Sequence, residues 1–148
     1  MLKQNRRRFL KSTSTLASAA AVGCFSSRTF GRSRSPNERP RFALIGCGGQ
    51  GTGDARRALE FGDMMVACDV DSAHSAYVKN IFTKRLSGQG RQSNIETCDD
   101  YRSVIDRDDI DAIICGTVDH WHVKIAAEAL RSGKDVYCEK PLTLTVDE

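Results

Sequence analysis

The sequence predicts an α/β fold built on a doubly wound parallel sheet, and three observations carry that reading. Strand-like runs of three to five residues, at 42–45, 64–68, 95–98, 112–115 and 136–138, alternate with stretches of helical character. The connections between them are short, which calls for parallel strands, helices on both faces and right-handed crossovers. Between the first strand and the first helix lies the turn Gly46-x-Gly48-x-x-Gly51, a spacing with its own physical demand. At 148 residues the chain has room for one domain with a real core and not for two.

Phe42 to Ile45 form a continuous apolar run, as suits a strand buried on both faces. In the turn that follows, Gly46 permits the tight reversal, Gly48 lets a phosphate approach the backbone, and Gly51 lets the next helix pack closely on the sheet. Phosphates placed there meet the free N–H groups and positive dipole end of that helix, so Gly46, Gly48, Gly49, Gln50 and Gly51 read as a dinucleotide-binding loop. Met64 to Cys68 form the second strand. Asp69 closes it about 20 residues beyond the glycines, where a carboxylate accepts from a ribose hydroxyl. Asp71 lies close by; two acids and no nearby arginine favour NAD over NADP. The alternative is that Asp69 merely ends a strand and Asp71 caps the next helix.

Ser72 to Phe82 reads as that helix and Thr83 to Asn94 as a solvated loop. A short third strand at Ile95 to Cys98 precedes a helix at Tyr101 to Arg107, and Ala112 to Cys115 form the fourth strand. The helix Trp121 to Arg131 carries a core-facing stripe of Val123, Ala126, Ala127 and Leu130, with Gly133 as its C-cap. Val136 to Cys138 form the fifth strand.

Two polar groups fall just beyond strand ends, where open α/β sheets bind ligands. Thr117-Val-Asp-His120-Trp-His122 leads from the fourth strand into its helix. His120 and His122 invite a metal reading, but no further cluster of ligands accompanies them in the sequence, and helix residues two apart do not share a face. No metal is expected, and a capping or cofactor-contacting role is preferred. After the fifth strand comes Glu139-Lys140-Pro141, whose lysine can hydrogen-bond a substrate oxygen or stabilise negative charge on it; a solvated lysine is the alternative. The six cysteines include no C-x-x-C pair, and most lie in or beside strand runs, so free thiols are expected.

The charge is uneven. Residues 1–41 hold ten Lys and Arg against Glu38, a local +9, and the remaining 107 residues carry a local −6. Basicity belongs to the leader, and the acidic remainder gives no reason to expect nucleic-acid binding. Arg6-Arg7-Arg8-Phe9-Leu10-Lys11 matches the twin-arginine export pattern, and an uncharged stretch from Ser12 to Ser27 is too short and mild to span a bilayer. Residues 1–40 therefore read as a signal peptide and disordered linker, handled by the twin-arginine export machinery, with a periplasmic destination. Ala21-Val-Gly-Cys24 resembles a lipoprotein box, so a lipid anchor on Cys24 stays open.

Taken together, the glycine loop, Cys68-Asp-Val-Asp71, Asp119-His-Trp-His122 and Glu139-Lys-Pro141 resemble, in order and spacing, the glucose-fructose oxidoreductase / inositol dehydrogenase (Gfo/Idh/MocA) family over residues 41–148. Val118 departs from the proline many members have. The resemblance implies an NAD(P)-binding Rossmann domain, Lys140 positioning substrate beside the nicotinamide, and His122 near the cofactor. Thr117, His120, Glu139 and Lys140 are the cofactor contacts it adds, with Lys140 and His122 the catalytic candidates. It further implies a second α+β domain with substrate contacts, absent here, and Thr145-Val-Asp-Glu148 reads as a capping box announcing a helix that does not follow. The expectation is a truncated chain: the NAD-binding half of an exported oxidoreductase acting on a sugar or polyol, inactive by itself, with homo-oligomerisation of the full-length protein left open. An NAD-dependent glycosidase of the same family, or a non-catalytic NAD-binding module, are the alternatives.

Overall fold

The computed structural model describes residues 38–145 and 147. The segment read as a signal peptide, Cys24 and nearly all of the expected linker lie outside the described residues, as do Val146 and Glu148 of the expected capping box. The elements run β1 (Arg41–Ile45), α1 (Gly49–Ala58), β2 (Asp63–Cys68), α2 (Ser72–Gly88), β3 (Glu96–Cys98), α3 (Tyr101–Ile105), β4 (Ala112–Cys115), a 3-10 turn (Asp119–Trp121), α4 (His122–Arg131) and β5 (Asp135–Cys138). All five strands are parallel, in the order β3-β2-β1-β4-β5.

That order follows from two right-handed crossovers to one side of β1 and two to the other. Helices α1 and α2 cover one face, while α3 and α4 cover the opposite face. Side chains of β1 divide between the faces with the strand period of two: Phe42 and Leu44 pack with Leu59, Val78 and Phe82 under α1 and α2. Ala43 and Ile45 pack with Val104, Ile113, Ile125 and Ala129 under α3 and α4. A central parallel strand has no solvent face, which is why its sequence is an unbroken apolar run. Beside α1, where β4 and β5 leave part of the sheet open, an apolar hollow of about 550 Å³ is lined by Phe42, Phe61 and Tyr137 among others.

Helix ends obey local chemistry. Asp71 caps α2 by accepting from the Ala73 N–H at 2.8 Å, and Asp100 caps α3 by accepting from the Arg102 N–H at 2.9 Å. At the end of α4, Gly133 adopts φ +77°, with its N–H donating to Leu130 O and that of Lys134 to Ala129 O. This paired pattern satisfies the last carbonyls of the helix.

Some boundaries differ from the sequence reading. Helix α2 runs on to Gly88 instead of stopping at Phe82, because Ser75, Val78, Phe82 and Leu86 form one buried stripe under a polar outer face. Residues read as a solvated loop are therefore partly helix. Arg91 in that stretch is also engaged, donating to Leu59 O at 2.9 Å and to Gly62 O at 3.1 Å and pairing with Asp63. Helix α3 ends at Ile105, and α4 begins only at His122 after the 3-10 turn. Among the described residues no helix is long and apolar enough to cross a membrane.

Candidate functional site

At the carboxyl ends of the strands, where the chain order reverses between β1 and β4, a cleft of about 610 Å³ opens. Its floor is glycine. Gly46 sits at φ +91°, a conformation that side chains rarely adopt, and a Cβ there would lie 2.6 Å from backbone atoms of Gly116. A Cβ on Gly51 would come within 2.2 Å of Gly46 O, and one on Gly116 within 2.5 Å of Gly51 Cα. Three glycines thus pack backbone on backbone, joining the β1 turn, α1 and the end of β4. Gly116 escaped the sequence reading, although a glycine directly after an apolar strand run was a usable signal.

Gly48 and Gly49 behave differently. No protein atom lies within 4 Å of a Cβ built on either, so no protein contact accounts for these glycines. Gly48 is the N-cap of α1, with no side-chain cap and no acidic residue in the first turn of the helix. Positive helix end and open space face the cleft together, and a diphosphate fits both.

Asp69 lies beside this cradle and is tied to it. One carboxylate oxygen accepts from the Cys47 N–H at 2.7 Å and the other from the Asp71 N–H at 2.9 Å. Each oxygen keeps a further lone pair. His74 Nδ1 is 3.8 Å away. Asp71 commits one oxygen to capping α2, as the structural alternative supposed. The expectation that no arginine stands nearby needs correction: Arg102 lines the same cleft, drawn over the Tyr101 ring at 4.7 Å and paired with Asp100 at 3.3 Å. Tyr101 and Trp121 meet edge to face at 5.9 Å and contribute an aromatic wall. Tyr101 and Arg102 begin α3 while Trp121 ends the 3-10 turn after β4, two segments that spacing in the sequence did not group.

The remaining candidates divide. Thr117 lines the cleft, while His120 stands exposed in the 3-10 turn outside its lining. Glu139 extends the β5 ladder by donating its N–H to Cys115 O at 2.9 Å, and Lys140 follows it, exposed. His122 is buried, with Nδ1 2.7 Å from Pro141 O and Nε2 3.0 Å from Thr117 O. It thereby joins the two strand-end loops from behind and is not among the residues lining the cleft.

A second link runs through carboxyl groups. Buried Asp54 on α1 is held above the ordinary carboxylate range, chiefly by burial and then by the charge and hydrogen bond of Glu139, against the pull of Arg57. Glu139 is held below its ordinary value, first by Gln50. Of the two carboxyl groups Asp54 therefore has the greater proton affinity. Gln50, Asp54 and Glu139 thus connect the glycine turn to the Glu-Lys-Pro loop.

The described cysteines, Cys47, Cys68, Cys98, Cys115 and Cys138, are free. Spacing in the sequence offered His122 no partners for a metal, but strand register brings Cys115 opposite Cys138, with His122 beside both.

The fold, its glycine cradle and its switch-point cleft define a dinucleotide-binding domain of the doubly wound α/β class. Residues 40–148 match the oxidoreductase family with an NAD-binding Rossmann fold, and the chain belongs to this Gfo/Idh/MocA family. A "Glycosyl hydrolase family 109 protein" of Solibacter usitatus is 32% identical over an alignment of 165 positions that covers all of this chain and 35% of the relative. An α-N-acetylgalactosaminidase of Shewanella oneidensis is 32% identical over 112 positions, 73% of this chain and 24% of the relative. Among solved structures, the myo-inositol 2-dehydrogenase of Lactobacillus plantarum superposes with a TM-score of 0.61 and 29% identity, covering 74% of this chain and 30% of that one. The chain spans about a third or less of the length of these relatives.

Proposed function

We propose that residues 41–148 hold NAD, in preference to NADP, for an enzyme that moves a hydride to and from a carbon of a sugar or polyol. The observation that carries this reading is the pairing of an uncapped helix N-terminus with two glycines, Gly48 and Gly49, that no protein atom crowds. The α1 N–H groups bind and orient the diphosphate. Asp69, fixed by two backbone donors, offers its remaining lone pairs to ribose hydroxyls, and its charge repels a 2′-phosphate. When bound, the nicotinamide ring supplies the hydride acceptor and donor. Lys140 then donates a hydrogen bond to the substrate oxygen, favouring negative charge there. Gln50, Asp54 and Glu139 hold the loop that carries Lys140 in register with the cradle.

A second reading rests on the names of the curated relatives. In a glycosidase of this family the hydride removed from a sugar returns to the same molecule, and between the two steps the aglycone leaves and water adds in its place. The protein extended to its relatives' length separates the readings: a dehydrogenase accumulates reduced cofactor, whereas a glycosidase releases aglycone with none accumulating.

Calorimetric titration of the chain with both cofactors tests the cofactor reading. NAD is expected to bind more tightly, and Asp69→Asn to weaken NAD by about 1–3 kcal/mol. Equal or tighter binding of NADP overturns the ribose assignment; loss of that binding in Arg102→Gln would then identify Arg102 as the phosphate partner.

A further inference from the structure

We propose that Cys115, Cys138 and His122 form a site for a thiophilic divalent cation, zinc being the type, completed by the main-chain carbonyl of Thr117. Sheet register creates the donor set: parallel pairing of β4 with β5 places Cys115 opposite Cys138. Helix α4 begins at His122, against their carboxyl ends. The donor atoms of the three side chains lie within 4.8 Å of one another, and among the described residues this is the single group of three or more potential His, Cys, Asp or Glu ligands so placed. Zinc bonds of about 2.3 Å to sulfur and 2.0–2.1 Å to nitrogen space tetrahedral donors roughly 3.5–3.8 Å apart. The difference to be closed is at most about 1 Å, within reach of side-chain rotation.

The contacts of the histidine are compatible with that role. Both ring nitrogens face carbonyl oxygens, at 2.7 Å (Pro141) and 3.0 Å (Thr117), yet a neutral imidazole has one N–H to give. A cation at Nε2 requires the neutral tautomer whose hydrogen sits on Nδ1 and is donated to Pro141 O. In that tautomer Nε2 directs a lone pair toward Thr117 O, two acceptors facing each other. A cation bound to Nε2 turns that opposition into coordination and recruits the Thr117 oxygen as a donor. The bond from Nδ1–H to Pro141 O becomes the outer contact that metal-ligating histidines ordinarily make to a carbonyl. Cys68 and Cys98 form a matching in-register pair on β2 and β3 with no histidine in a comparable group, and serve as an internal control.

Cobalt(II), which reports its own coordination by absorption, is the probe: the reduced 148-residue chain is titrated without oxygen or chelating buffer. Expected are one equivalent bound, the spectrum of four-coordinate cobalt with sulfur-to-cobalt charge transfer from two thiolates, and displacement by zinc. Cys115→Ser and Cys138→Ser should each remove one thiolate's share of that absorption and weaken binding by more than the 10- to 100-fold typical of an outer-shell partner. Cys98→Ser should change nothing. Absence of charge transfer in the wild-type chain overturns the proposal, as does a spectrum that survives in the Cys115→Ser/Cys138→Ser double variant. Because the serine variants can lose the fold, alkylation of the wild-type chain with and without zinc gives a second reading: zinc should shield Cys115 and Cys138 selectively. Equal reactivity of all cysteines, or shielding of Cys47, Cys68 and Cys98 instead, refutes the site. The test involves no nicotinamide cofactor, so its failure leaves the cofactor reading untouched.

Discussion

Gly51→Ala is expected to abolish NAD binding and to destabilise the domain by about 3 kcal/mol, at the upper end of what overpacking costs. The added methyl would stand 2.2 Å from Gly46 O and 3.3 Å from Gly116 Cα. Both are backbone atoms and cannot rotate aside. The chain must then lift α1 away from the sheet, which displaces the positive helix end from the cradle. Denaturant unfolding measures the first effect and cofactor titration the second. Gly53→Ala is the paired control: a methyl on Gly53 meets nothing within 4 Å, and inside a helix the change should stabilise by about 0.5–1 kcal/mol. A Gly51→Ala domain as stable as wild type would show that the three-glycine contact is not required.

Lys140→Ala, made in the protein extended to its relatives' length, is expected to lower the rate by roughly 10² to 10³ while NAD binding stays nearly intact. Lys140 is exposed next to Glu139, whose N–H is held by Cys115 O and whose side chain is engaged by Tyr137 and Gln50. Its position is therefore set by its neighbours, and its charge is free for a substrate oxygen. Loss of kcat with little change in the cofactor's Kd is the signature of a group acting on the reacting atoms. An unchanged rate refutes the lysine's role and leaves the fold standing.

The parallel sheet was legible because β1 and β4 are buried on both faces and so lack any polar alternation to mislead. The glycine turn was legible because backbone contacts that only glycine permits fix Gly46 and Gly51, while Gly48 stands open between them. Asp71 resolved into the helix cap that its local sequence already offered. What spacing could not show is contact across the sheet. Gly116 against Gly51, Tyr101 against Trp121, Asp54 near Glu139 and Cys115 beside Cys138 all join segments far apart in the chain, which only helix packing and strand register together bring close. The early stop assigned to α2 had another cause. Thr83, Lys84 and Arg85 form the solvated face of a helix whose buried stripe, Phe82 and Leu86, is only one residue wide per turn.

The central claim is that the open glycine at the start of α1 is reserved for a phosphate of NAD, and titration of Gly48→Ala with NAD tests it most directly. Gly48 has φ −68° and ψ −175°, which alanine adopts without strain, and its added methyl meets no protein atom within 4 Å. Stability should stay within about 1 kcal/mol of wild type, the cost of alanine at an N-cap. NAD affinity should fall by roughly 10- to 100-fold, about 1.4–2.8 kcal/mol, as the methyl occupies the diphosphate's approach. A folded Gly48→Ala chain that binds NAD as tightly as wild type would contradict the assignment of this cleft to the cofactor.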